Sequence, residues 1–136
     1  MPEIIYEPVT PSIEDFRRLR RIAGLSDRSV EAAAAGLPNT IFAIVAYLEG
    51  TAIGMGRIIG DGGTAFQLTD IAVDPAFQGQ GVGKGIVSRL VDYLNTSVPK
   101  GAYVSLIADG DAHYLYAKYG FAPTAPASIG MSFVVR

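Results

Sequence analysis

Residues 74–85 read Asp74-Pro75-Ala76-Phe77-Gln78-Gly79-Gln80-Gly81-Val82-Gly83-Lys84-Gly85, with glycine at alternate positions from 79 to 85. Upstream, Ala65–Val73 is a β-type run that Asp74-Pro75 ends. Downstream, Ile86, Leu90 and Leu94, flanked by Val87 and Val91, recur at helical spacing and predict a helix of about four turns. The glycines therefore join a strand to a helix N-terminus, where the first N–H groups lack intrahelical partners and the helix dipole favours an anion. Glycine lets the backbone approach phosphate oxygens closely, and Gln78, Gln80 and Lys84 add side-chain donors.

Two common phosphate loops fail at named positions. A Walker loop needs glycine where Gln78 stands and Ser or Thr where Gly85 stands. A dinucleotide fingerprint begun at Gly79 or Gly81 needs glycine at 84 or 86, which hold Lys84 and Ile86. The bland alternative is a glycine-rich turn that merely starts a helix.

Before the loop, Ile41–Leu48, Ala52–Ile59 and Ala65–Val73 are separated by Glu49-Gly50 and Asp61-Gly62-Gly63, the pattern of an antiparallel meander. Ile4–Tyr6 reads as a first strand. Ile13–Ile22 reads as a helix capped by Ser12, and about Asp27–Ala35 as a second, capped by Ser26 or Asp27. After the loop helix, Tyr103–Ala108 reads as a strand, Asp111–Tyr119 as a short helix ended by Gly120, and Phe121–Pro123 and Met131–Val135 as closing strands. The expected fold is α/β in the α+β sense: a mixed, mostly antiparallel sheet of about seven strands with four helices, in one domain spanning 1–136.

The net charge is −2 over 136 residues, with no broad basic surface, so nucleic-acid partners are not expected. Cysteine is absent, which removes disulfides and thiol catalysis, and the single His113 cannot build a metal site; no metal is expected. Apolar runs are strand-sized, far short of the roughly 20 residues of a membrane helix. A cytoplasmic protein with no membrane partner is the expectation.

Gln78-Gly79-Gln80-Gly81-Val82-Gly83, after Asp74-Pro75-Ala76-Phe77, resembles the Gln/Arg-x-x-Gly-x-Gly/Ala acetyl-CoA signature of the GNAT superfamily of N-acetyltransferases. Leu115-Tyr116-Ala117-Lys118-Tyr119-Gly120-Phe121 resembles a second segment of that family. The resemblance implies a GNAT-like fold and acetyl-CoA as co-substrate. It implies that N–H groups among Gln78, Gly79, Gln80, Gly81, Val82, Gly83 and Lys84 hold the pyrophosphate, and that Ile71, Ala72 and Val73 lie along the pantetheine arm. The strands equivalent to 65–73 and 103–108 would splay apart there, with the Val73 N–H polarising the thioester carbonyl. Tyr116 matches the general acid that protonates the departing sulfur; by pattern alone it also suits core packing with Tyr119 and Ala112. Asp109 stands where many members have Asn, and could contact the pantetheine or cap the following helix. A homodimer is also implied.

A protonated amine needs a base, and Asp70 is the candidate, since it lies on strand 65–73 beside the expected thioester position, next to the apolar segment Ile71 to Val73, and a charge there needs a partner. The alternative is a solvent-facing residue, because alternation puts Asp70 opposite Ile71 and Val73. His113 is a base by type only. The expected acceptor is a primary amine of a small molecule, with Asp27, Glu31 and Asp61 as charges that could attract it. A protein amine, a CoA-binding module without transfer chemistry, and plain nucleotide-phosphate binding are the rival readings.

Overall fold

The computed structural model describes residues 2–136. Strands Ile5–Glu7 (β1), Phe42–Leu48 (β2), Thr51–Gly60 (β3), Ala65–Val73 (β4) and Tyr103–Ser105 (β5) form one sheet in chain order. Every neighbouring pair is antiparallel except β4 and β5, which run parallel. The helices are Ile13–Ile22 (α1), Val30–Gly36 (α2), Val82–Ser97 (α3) and His113–Ala117 (α4). The described residues divide into two compact units, one up to Leu106 with β1 to β5 and α1 to α3, and the other, Ile107–Arg136, with α4.

In the first unit both faces of the sheet are covered. The Ser12 hydroxyl accepts from the Asp15 N–H at 3.1 Å and starts α1 where the capping pattern places it. α1 turns Phe16 and Leu19 inward, where they join Ala33, Leu37, Val45, Met55 and Ala72 in one buried cluster. α3 buries Val82, Ile86, Val87, Leu90 and Leu94. The residues of β3 on either side of Met55 face α3. A Cβ built on Gly54 would meet Ile86 and Val82 at 3.0 Å, and one on Gly56 would meet Ile71 and Ile86 at 2.7 Å and Leu90 at 2.9 Å.

Gly56 is thus a point of tight approach between helix and sheet, with branched side chains on three sides. Gly56→Ala is expected to cost about 1–3 kcal/mol through overpacking. Urea unfolding would show this as a lower midpoint at unchanged slope.

The expected α2 begins three residues later, at Val30, because the Ser29 hydroxyl, rather than Ser26 or Asp27, accepts from the Ala32 N–H. The strand expected over 103–108 ends at Ser105, and the helix expected over 111–119 is a 3-10 turn, Gly110–Ala112, followed by α4. Among the described residues the sheet has five strands rather than about seven. Phe121–Pro123 and Met131–Val135 form no strand, and Met131, Phe133, Val134 and Val135 are 74–88% exposed. Their β-propensity is real, but a strand exists only with a ladder partner, and none is present among the described residues.

Candidate active site

Asp74 ends β4, and its carboxylate accepts from the Ala76 N–H at 2.9 Å, starting the 3-10 turn Pro75–Phe77. The chain then passes through left-handed backbone at Gly79 (φ +82°) and Gly81 (φ +79°), the latter capping α3. A Cβ at either glycine would meet nothing within 4 Å, so conformation and access, not packing, call for glycine there. The first intrahelical bond runs from the Gly85 N–H to the Gly81 carbonyl at 2.9 Å, and no side chain among the described residues caps the helix. The N–H groups from Gly79 to Gly83 therefore stand as donors at the positive end of a 16-residue helix. The Gln78 side chain donates to the Val73 carbonyl at 3.4 Å, tying loop to strand end.

β4 is half open. Its pairing with β5 runs only from Ala65↔Tyr103 to Gln67↔Ser105, whereas β4 continues to Val73. Along 68–73, where Ile71, Ala72 and Val73 lie, the edge away from β3 has no strand partner among the described residues and offers main-chain hydrogen-bonding groups.

Between Thr69 and Ala72 the register with β3 slips: Arg57 pairs with Thr69 and Met55 with Ala72, so Asp70 and Ile71 together oppose Gly56. Asp70 is the extra residue of this bulge, at φ +57°. The bulge sends Ile71 toward α3, as its approach to Gly56 shows, and turns Asp70 to the α1 side. Asp70 is not solvent-facing; it is 8% exposed. Its Oδ1 accepts from Arg20 Nη1 at 2.5 Å and its Oδ2 from Arg57 Nη1 at 2.7 Å, and both guanidinium groups are buried. The Phe16 ring lies 5.9 Å and 5.7 Å from the Arg20 and Arg57 guanidinium carbons. Burial is the main influence lowering the Arg20 pKa, and Asp70 opposes it.

Asp70 borders a pocket of about 380 Å³ lined by Arg28, Arg57, Gln67, Thr69 and residues of α1 and α2. Asp27, Glu31 and Asp61 do not line it. Asp27 pairs with Arg17 at 3.6 Å. Asp61 closes the β3–β4 turn by accepting from Gly63 and Thr64, bonds that hold its carboxyl well below the usual range. The arginines around Asp70 had no signal in local spacing. The available clue was the one that singled out Asp70, a charge inside an apolar strand, and it applies equally to Arg57.

Within the second unit, Tyr116 is 8% exposed and lies edge-on to Phe121 at 6.1 Å. Burial first, and then the charge of Asp109, push the Tyr116 phenol pKa up. Asp109 is exposed and its carboxylate makes no cap, so the helix-capping alternative is not formed. His113 Nδ1 is 3.1 Å from the Gly110 carbonyl and its ring lies against Tyr114 at 4.2 Å. Among the described residues no helix is long and apolar enough to cross a membrane, and no three His, Asp or Glu side chains are grouped to hold a metal ion.

A glycine-lined helix N-terminus fed by a strand with an open edge is the layout of a phosphate-cradling α/β protein. The model of the acetyltransferase (GNAT) domain matches residues 39–123, and the chain belongs to the GNAT acetyltransferase family. A Staphylococcus aureus protein of unknown function, described as a probable acetyltransferase, is 44% identical with a TM-score of 0.93, covering 98% of this chain and 100% of that one. A GNAT family protein from Streptococcus pneumoniae is 22% identical with a TM-score of 0.78, covering 98% and 99%, a likeness of fold alone. Among curated sequences, GCN5-related N-acetyltransferase 2, chloroplastic, from Arabidopsis thaliana is 37% identical over 51% of this chain and 26% of its own length. An uncharacterized N-acetyltransferase from Pyropia yezoensis is 29% identical over 62% and 47%. The matched region thus spans less than half the length of these curated relatives.

Proposed function

We propose that this chain, as one catalytic domain over 1–136, transfers an acetyl group from acetyl-CoA to the primary amine of a small molecule. The observation that carries the reading is the open edge of β4 from Leu68 to Val73, which leads directly into the donor loop at Gly79 to Gly83. In this reading the loop, with Gln78, Gln80 and Lys84, holds the pyrophosphate. The pantetheine amides pair with the edge at Ile71, Ala72 and Val73, and Asp109 hydrogen-bonds the same arm. The neutral amine attacks the thioester carbon, the Val73 N–H stabilises the tetrahedral oxyanion, and the C–S bond breaks as Tyr116 protonates the thiolate. Asp70 takes the ammonium proton through water; each of its oxygens has a lone pair beyond the one given to arginine.

An acceptor of small-molecule size is supported by the pocket of about 380 Å³. Primary amines incubated with acetyl-CoA and followed by thiol release provide the test. Acetyl-CoA binding without release for any amine would turn the assignment to a module without transfer chemistry, and release only with peptides would turn it to a protein amine. A homodimer joined through the exposed apolar segment 131–135 completes the proposal, with sedimentation equilibrium as its measure.

A further inference from the structure

The pocket beside Asp70 holds more positive than negative charge. Arg28 and Arg57 line it against one carboxylate, Asp70, and Arg20 pairs with that same carboxylate. Asp27, whose charge also reaches Arg20, is engaged by Arg17. The two inner guanidinium groups are fixed. Arg57 donates from Nε to Thr40 Oγ1 at 2.9 Å, from Nη1 to Asp70 at 2.7 Å, and from Nη2 to the Gly36 carbonyl at 3.4 Å. Arg20 donates to Asp70 and to the Ser26 carbonyl and hydroxyl.

Arg28 differs. It is exposed, and its side-chain hydrogen bonds run through Nη1 alone, to Ser26 Oγ at 2.8 Å and the Asp27 carbonyl at 3.1 Å. Nε and Nη2 donate to no acceptor among the described residues. These two nitrogens share one edge of the guanidinium plane, and their parallel N–H groups match the spacing of two oxygens on a carboxylate or phosphate. Arg28 also lowers the Arg20 pKa, so its charge is felt across the cluster.

We propose that the pocket receives an oxyanion, carboxylate or phosphate, carried by the acceptor amine itself, with Arg28 as the bidentate partner and Arg57 as the fixed charge behind it. The inference rests on the pocket's being the acceptor site of the transferase proposed above. It narrows the acceptor to zwitterionic amines of modest size. It also excludes polyamines, which would set like charges together in a confined site.

The test compares kcat/KM for β-alanine against its amide, phosphoethanolamine against ethanolamine, and putrescine. The anionic member of each pair is expected to be preferred by about tenfold to a hundredfold, the worth of charge-assisted hydrogen bonds. The better of the two anions identifies the group. Arg28→Ala should collapse that ratio toward one, Arg28→Lys should restore part of it, and Arg28→Glu should favour putrescine. Equal or better use of neutral or cationic amines by the wild-type chain would overturn the proposal. If no amine is acetylated, the transferase reading fails, and the pocket is judged by thermal stabilisation with inorganic phosphate or succinate. Stabilisation lost in Arg28→Ala supports the oxyanion site, and equal or absent shifts reject it.

Discussion

Tyr116→Phe is expected to lower kcat by about a hundredfold to ten-thousandfold, the usual range for loss of a positioned acid, while the affinity for acetyl-CoA changes little. The substitution removes one oxygen and keeps the ring that lies edge-on to Phe121. A phenol has a reference pKa of about 10, and burial together with the Asp109 charge pushes that of Tyr116 upward. If Tyr116 is the proposed acid, its proton is therefore in place throughout the neutral range, and the alkaline limb of kcat should lie above the ordinary phenol value. Because the folded state holds the proton more tightly than the unfolded chain, the associated stability is present below the unfolded pKa. It is lost as pH rises through the folded value. Replacing Asp109 by Asn removes the smaller of the two influences and should move the alkaline limb down. The phenylalanine variant should lack the limb altogether; a variant that keeps both turnover and limb would remove Tyr116 from the chemistry.

The features legible in sequence were those fixed by neighbours. Ser12 caps α1 because its hydroxyl reaches the N–H three residues on, and β4 spans Ala65–Val73 because turn residues bound a β-type run. The glycine-rich segment joins β4 to the N-terminus of α3, where the alternating glycines and the downstream helical spacing put it. Three features escaped because they depend on distant partners. Met131–Val135 has the composition of a strand, but no ladder partner among the described residues. The bulge at Asp70 breaks the period of two, which alternation assumes to be continuous. The paired arginines lie 50 and 13 residues from Asp70, separations at which chain spacing carries no information. The sequence consequently points to Asp27, Glu31 and Asp61 as charges for an amine, whereas the pocket beside Asp70 is lined by Arg28 and Arg57.

Asp70→Asn is expected to destabilise the fold by about 3–5 kcal/mol, because it leaves two buried guanidinium groups facing each other without the anion that justified burying them. Asparagine is the informative replacement. It matches aspartate in size and tolerates the left-handed backbone at φ +57°, so the loss reports charge rather than strain or a cavity. Adding Arg20→Met should recover part of the loss, since it removes one of the two stranded charges and keeps an apolar stem beside Phe16. Urea unfolding of the single and double variants measures both effects. The same pair separates the clamp from the proposed base. Acetyl transfer per folded molecule, measured where Asp70→Asn is still native, should fall about a hundredfold if the carboxylate relays the ammonium proton, and raising the pH should restore part of it as free amine accumulates. Turnover per folded molecule equal to wild type would leave Asp70 as the anchor of Arg20 and Arg57 alone, and the base would then have to be sought elsewhere around the pocket.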